Sequence, residues 1–152
     1  MKVNTDGCLL GSWAHHESPK RILDIGAGSG VIALMLAQRY EKAAITAVEI
    51  EQACANQCIL NFENSPFQDR LTCINEDINL FENSSLFDLI VSNPPYFENA
   101  TPAKGTARLR ARHHNTLSLT DLFKNVNRLL NEKGDFCLIL PIDRFPVVKS
   151  PF

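Results

Sequence analysis

The chain has 152 residues, a formal net charge of −2, 45% hydrophobic and 21% charged residues, the balance of one soluble globular domain able to bury a substantial core. That composition excludes a disordered or collagenous chain, and no apolar run reaches the roughly 18 residues that a membrane span needs. The charge gives no global attraction to a polyanion, so any nucleic-acid binding must come from a local basic patch.

Residues 1–11 contain Lys2, Asn4, Thr5 and Asp6 and no apolar block of signal-peptide length, so a cytoplasmic location is expected. The five cysteines at 8, 54, 58, 73 and 137 form no Cys-x-x-Cys pair, which fits a reduced chain. Cys54 and Cys58 would share a helix face, but no second ligand pair follows, so they read as small packing residues and no metal site is expected.

Short aliphatic runs alternate with helical ones, as in a parallel sheet flanked by helices. Arg21-Ile-Leu-Asp-Ile25 reads as a buried strand ended by Gly26, Gly28 and Gly30, and Val31 to Tyr40 as a helix. Ala44 to Val48 is a second strand closed by Glu49; a second helix runs from Glu51 to about Asn64, with Pro66 beyond its end. Leu71 to Asn75 and Phe87 to Ser92 are the third and fourth strands, the latter stopped by Pro94 and Pro95. Residues 97–117 lack periodicity, and so long a loop in a small domain is usually functional. Ser118 and Asp121 then offer a capping box before the stripe of Leu119, Leu122, Phe123, Val126, Leu129 and Leu130. Gly134 reads as ending the following turn, and Phe136 to Leu140 as a fifth strand, after which prolines at 141, 146 and 151 break the tail.

Asp24-Ile-Gly26-Ala-Gly28-Ser-Gly30 lies between a strand and a helix, where glycines let the backbone approach a ligand and the helix presents free N–H groups. Glu49, at the end of the next strand, can accept hydrogen bonds from both ribose hydroxyls, so the unit describes a cradle for NAD or S-adenosylmethionine. The glycines alternate rather than following G-x-G-x-x-G, and a carboxylate at Asp24 suits an ammonium better than a pyrophosphate. Both features favour S-adenosylmethionine over a dinucleotide; the bland alternative is a tight turn with no ligand.

Asn93-Pro94-Pro95-Tyr96 follows the fourth strand. Two acceptors, the Asn93 side-chain oxygen and the Pro94 carbonyl, can draw the hydrogens of a planar amine or amide so that its lone pair faces a methyl donor. Tyr96 offers a face on which a base can stack, worth roughly 1–3 kcal/mol.

On these residues the chain resembles the class I S-adenosylmethionine-dependent amino-methyltransferases over about residues 21–140. The resemblance implies a Rossmann-like α/β fold, with Asp24, Gly26, Gly28 and Gly30 lining the methionine end of the cofactor and Glu49 on its ribose. It also implies Asp77 at the adenine amine, although a bare acid in the turn Asn75-Glu-Asp77 reads more simply as a solvated loop residue. Asn93, Pro94 and Tyr96 form the transfer set, with Asn93 also beside the cofactor. The tetrapeptide names amine or amide methylation and leaves the target open among nucleobase amines and the glutamine amide of release factors.

Two features lean toward RNA. Lys104, Arg108, Arg110 and Arg112, with His113 and His114, make a cationic segment within 97–117, against the single acid Glu98. Alternatively these are a solvated basic loop. The opening from Lys2 to Trp13 and the stretch Ala111-Arg-His113 resemble bacterial tRNA (adenine-N6) methyltransferases that modify adenosine 37 of valine tRNA; Leu9, Leu10 and Trp13 could equally cap the sheet. That family implies tRNA as partner, with the basic segment as substrate loop.

Family members carry further strands after the fifth, giving seven, so the expectation is a single truncated domain over 1–152 without the last strand pair. The fifth strand would then stand at a sheet edge and favour self-association. The rival readings are a glutamine-N5 methyltransferase for release factors, which gives the basic residues no use, and a fragment that binds cofactor without turnover. An NAD oxidoreductase is more distant and leaves Asn93-Pro-Pro-Tyr96 without a role.

Overall fold

The computed structural model describes residues 5–94 and 117–140. Its elements, in chain order, are α1 (Thr5–Trp13), β1 (Arg21–Ile25), α2 (Val31–Arg39), β2 (Ala44–Glu49), α3 (Gln52–Glu63), a 3-10 turn (Gln68–Arg70), β3 (Leu71–Asn75), β4 (Phe87–Ser92), α4 (Leu119–Leu129) and β5 (Leu130–Leu138). The strands form one sheet in the order β3-β2-β1-β4-β5, with every pairing parallel. This is the expected Rossmann-like α/β arrangement.

Both faces of the sheet are covered, which is why its central strands are nearly continuous apolar runs rather than alternating ones. On one face Ile22, Ile45, Leu89 and Val91 pack with Leu10 of α1, Ile32, Ala33 and Leu36 of α2, and Cys58 and Phe62 of α3. On the other, Leu23, Ile25, Val48 and Ile90 pack with Leu122, Val126 and Leu129 of α4 and with Ile78 and Phe81 after β3. Side chains as fully buried as Leu23, Leu36 and Leu122 each contribute roughly 1.5–3 kcal/mol.

Two elements differ from the sequence reading. Residues 5–13 form a helix rather than a simple apolar cap: Leu10 is buried, while Leu9 and Trp13 are 58% and 68% exposed. The segment has almost no amphipathic signal, and α1 is held chiefly by α2. Arg39 donates to the carbonyls of Gly11, Ser12 and Ala14 at 2.6–2.8 Å, closing the end of α1. Gly11 permits the close approach, since a Cβ there would lie 2.6 Å from Sδ of Met35.

The second difference is β5, which starts at Leu130 directly after α4 rather than at Phe136. Phe87 pairs with Leu130 and Leu89 with Asp135, so residues 131–134 bulge opposite Asp88. Gly134 therefore lies inside the strand rather than ending a turn. A Cβ on it would come within 3.0 Å of the Asp88 carbonyl. Asp88 itself joins three elements, accepting from the N–H groups of Lys20 and Arg21 and from Nδ2 of Asn131. Burial pushes the Asp88 carboxyl up, but these donors outweigh it and leave its pKa below the usual range.

Among the described residues β5 is an edge strand. No helix among them is long and apolar enough to cross a membrane.

Candidate cofactor and transfer site at the carboxyl edge of the sheet

Parallel strands end together, so the register alone aligns the candidate residues. Asn75 lies beside Glu49, and Ile25 beside both Val48 and Ser92. Glu49 at the end of β2, and Asp77, Gly26 and Asn93 just beyond the ends of β3, β1 and β4, thus line up along one edge of the sheet. The strand order reverses between β1 and β4, opening the crevice in which such sheets bind ligands. The glycine turn flanks it on one side and Asn93-Pro94 on the other.

All three glycines have left-handed backbone, with φ of 72° at Gly26, 58° at Gly28 and 81° at Gly30. Gly30 caps α2, and a Cβ there would collide with Phe62 and with Cys58 Sγ, at 2.6 and 2.7 Å. Among the described residues a Cβ on Gly26 would meet no atom within 4 Å, whereas the one on Gly30 points into the core. Gly26 and Ala27 both donate to the Val48 carbonyl, at 2.9 and 3.3 Å, which ties the turn to β2.

Glu49 is 6% exposed. Its Oε2 accepts from the Gly28 N–H at 2.7 Å and its Oε1 from the Glu51 N–H at 2.9 Å. A carboxylate offers about four acceptor positions, so two backbone bonds fix its plane and leave capacity for hydroxyl donors. Glu51 proves to be the cap residue of α3 rather than part of its first turn.

Asp24 is fully buried, and among the described residues no donor makes a hydrogen bond of good geometry to either of its oxygens. Burial raises its pKa from 3.8 to about 7, the backbone N–H of Ala33 opposes the rise, and the charge of Glu49 adds to it. A buried carboxyl left without a donor is costly. The donor it lacks is what an amino-acid ammonium would bring, so the residues present fit the methionine end of S-adenosylmethionine.

Asp77 is half-buried, and its Oδ1 accepts from the backbone and side-chain N–H groups of Asn79, at 2.9 and 3.0 Å. It is thus ordered within its turn while remaining partly open to solvent. Ser92, fully buried, donates to the Ile25 carbonyl at 2.9 Å and locks the end of β4 against β1 just before Asn93. Asn93 is half-buried and Pro94 buried. Tyr96, Lys104, Arg108, Arg110 and Arg112 lie outside the described residues.

Cys54 and Cys58 do share a buried face of α3. A hydrogen bond with Cys73, together with burial, pushes the Cys58 thiol well above the usual range, so it packs behind the glycine turn as a neutral group. Among the described residues no set of three or more His, Cys, Asp or Glu is placed to hold a metal.

Sequence reasoning missed Asn125, which is 3% exposed on the apolar face of α4 and donates to Oδ1 of Asn79 at 2.8 Å. The signal was available: Asn125 falls between Leu122 and Leu129 at helical spacing, a polar residue on an otherwise apolar stripe.

The model of the methyltransferase small domain family matches residues 7–141. A tRNA1(Val) (adenine(37)-N6)-methyltransferase of Bacteroides thetaiotaomicron is 44% identical over 99% of this chain and 64% of its own length. The protein of that name from Serratia proteamaculans is 47% identical over 94% of this chain and 56% of its own. The chain thus spans less than two thirds of either relative. Among solved structures, a SAM-dependent methyltransferase from Thiobacillus denitrificans in complex with S-adenosyl-L-homocysteine has a TM-score of 0.63 at 16% identity, covering 97% of this chain and 54% of that one. One from Geobacter sulfurreducens, also in complex with S-adenosyl-L-homocysteine, has a TM-score of 0.62 at 19% identity, covering 90% and 47%. At those identities the likeness is one of fold. The match across nearly the whole chain and the close relatives agree with the geometry at the sheet edge: this chain belongs to the methyltransferase small domain family.

Proposed function

We propose that this chain is an S-adenosylmethionine-dependent methyltransferase acting on the exocyclic N6 amine of an adenosine in tRNA, position 37 of valine tRNA by its relatives' names. The observation that carries the reading is the placement of Asn93 and Pro94 at the end of β4, across the strand-order reversal from the glycine turn of β1.

In this reading Asp24 holds the cofactor's ammonium, Gly26, Gly28 and Gly30 line its methionine end, Glu49 takes the ribose hydroxyls and Asp77 the adenine amine. The bound cofactor supplies an electrophilic methyl group on a sulfonium. The Asn93 side-chain oxygen and the Pro94 carbonyl accept hydrogen bonds from the two N–H groups of the target amine, drawing its nitrogen out of conjugation. Its lone pair would then attack the methyl carbon as the C–S bond breaks to leave a thioether, and the amine would pass one proton to water. Tyr96 stacks the base, which must leave its own stack to be reached. Lys104, Arg108, Arg110 and Arg112 hold phosphates, so tRNA affinity falls steeply with salt. Residues 97–117 form the substrate loop of a single domain working in the cytoplasm, and the outer edge of β5 is a surface for self-association.

The test is incubation of the purified chain with methyl-labelled S-adenosylmethionine and, in separate reactions, unmodified bulk tRNA or a release factor, alongside Asn93→Ala. Label in the RNA that disappears in the variant is the expected result. Label that appears instead in a release factor would move the target to a glutamine amide. Cofactor binding without label in either would make the chain a binding fragment. Sedimentation at two concentrations checks the β5 edge.

A further inference from the structure

Asn79, Asn125 and Arg128 form a hydrogen-bond chain that runs from α4 into the turn after β3 and ends on Asp77. Arg128 donates through Nε to Oδ1 of Asn125 at 2.9 Å and through Nη2 to the Ile78 carbonyl at 2.6 Å. Asn125 donates through Nδ2 to Oδ1 of Asn79 and to the Asp121 carbonyl, both at 2.8 Å. Asn79 donates through Nδ2 to Oδ1 of Asp77.

The direction of this chain is fixed by chemistry. A guanidinium has only donors, so the Asn125 oxygen must face Arg128 and its amide nitrogen must face Asn79. The oxygen of Asn79 is thereby committed, and its nitrogen faces the carboxylate. Every link donates toward Asp77, with a cation at one end and an anion at the other, an arrangement in which successive bonds polarise one another. Among the described residues both bonds to the Asp77 side chain fall on Oδ1, which leaves Oδ2 as an acceptor directed by a fixed carboxylate plane.

We propose that Asn79, Asn125 and Arg128 are positioning residues that hold Asp77 as an acceptor for the exocyclic amine of an amino-purine, so that α4 sets which nucleobase the cofactor site takes. This rests on the reading of Asp77 as the residue at the cofactor's adenine. An apolar residue at position 125 would suit the stripe of α4 as packing. A buried amide there is costly unless its hydrogen bonds are made, and one of the two that it donates leads through Asn79 to Asp77.

The experiment measures, by calorimetry, the affinity of the full chain for S-adenosylhomocysteine and for S-inosylhomocysteine, in which an oxygen replaces the purine amine. The proteins are the wild type, Asn79→Ala, Asn125→Ala, Asp77→Ala and the Asn125→Ala/Asp77→Ala pair, each checked by thermal denaturation. The wild type is expected to favour the adenosyl ligand at least tenfold. Asn79→Ala and Asn125→Ala should each weaken that ligand about fivefold and leave the inosyl ligand within twofold, and Asn125→Ala should have no further effect once Asp77 is gone. Asn79 is exposed, so its variant gives the answer even if Asn125→Ala folds poorly. Equal weakening of both ligands, or an undiminished Asn125→Ala effect in the Asp77→Ala background, would reduce the chain of bonds to a structural staple and overturn the proposal. An Asp77→Ala variant that binds both ligands like the wild type would instead remove Asp77 from the adenine site. A wild type that binds neither would remove the cofactor reading itself, and in either case the proposal falls with its premise.

Discussion

The Gly28 N–H donates to Oε2 of Glu49 at 2.7 Å, which makes the last residue of β2 a strut for the glycine turn that follows β1. The same carboxylate steadies the start of α3 through the Glu51 N–H. Glu49 is therefore ordered before any ligand arrives, and preorganisation of this kind lowers the cost of binding.

Glu49→Gln should expose that double role. An amide offers one acceptor oxygen where the carboxylate offers two, so one of the two backbone N–H groups must face an NH2. Losing such a charge-assisted bond costs about 1.5–3 kcal/mol, and the acceptor proposed for the ribose weakens with it. The expected outcome is at least a tenfold loss of affinity for S-adenosylhomocysteine with the fold kept, read by calorimetry and circular dichroism. Unchanged affinity would remove Glu49 from the cofactor site.

Asp24 makes stability depend on pH with a definite sign. Its carboxyl, near 3.8 in the unfolded chain, titrates at about 7 when folded, so the folded protein keeps a proton that the unfolded chain has lost. The stability this group provides is intact below about pH 4, is lost progressively up to about pH 7, and is smaller by roughly 4 kcal/mol above that. Urea denaturation at pH 5 and pH 8 should show the fall, and Asp24→Asn, which carries no charge at either pH, should remove most of it. A cofactor ammonium would favour the ionised carboxylate, so binding near pH 6 should release protons, seen by calorimetry in buffers of different ionisation enthalpy.

Gly26 and Gly30 share a left-handed backbone but differ in surroundings, and Ala substitutions should separate the two. Each pays the steric cost of that conformation, about 1–2 kcal/mol. At Gly30 the new methyl also meets Phe62 and Cys58, adding roughly 1–3 kcal/mol of overpacking. Gly30→Ala should therefore lose clearly more stability in denaturant titrations. Gly26→Ala places its methyl in the open space of the cradle, so cofactor affinity should fall by more than its modest stability loss explains.

The sequence made the parallel sheet legible because its strands are short aliphatic runs closed by glycines, an acid or a proline pair. The clustering of Asp24, Gly26, Gly28, Gly30 and Glu49 was legible because they lie at or just beyond the ends of neighbouring strands, where local sequence and topology coincide. The helix α1 was hidden because its order comes from Arg39 and the close approach of Gly11 to Met35, contacts that join distant parts of the chain. The early start of β5 was hidden because residues 131–134 carry no strand pattern and are shaped by Asp88 across the sheet. The relay to Asp77 was hidden for the same reason: Asn79 and Asn125 meet only through the tertiary fold.

Arg70 gives a test of stability apart from the site. It lies just before β3, at the amino end of the sheet, and donates to the carbonyls of Ala37, Tyr40 and Ala43 at 2.9–3.0 Å, closing the end of α2. Its guanidinium also sits 5.7 Å from the centre of the Phe67 ring. Arg70→Ala leaves three part-buried carbonyls without this donor, and a loss of about 2–3 kcal/mol is expected. The site is at the other end of the strands, so affinity for S-adenosylhomocysteine should stay within twofold at a temperature where the variant is folded. Denaturant titration and calorimetry on the same preparation check both halves. A variant with normal stability but weakened binding would show that the end of α2 communicates with the glycine turn through the helix.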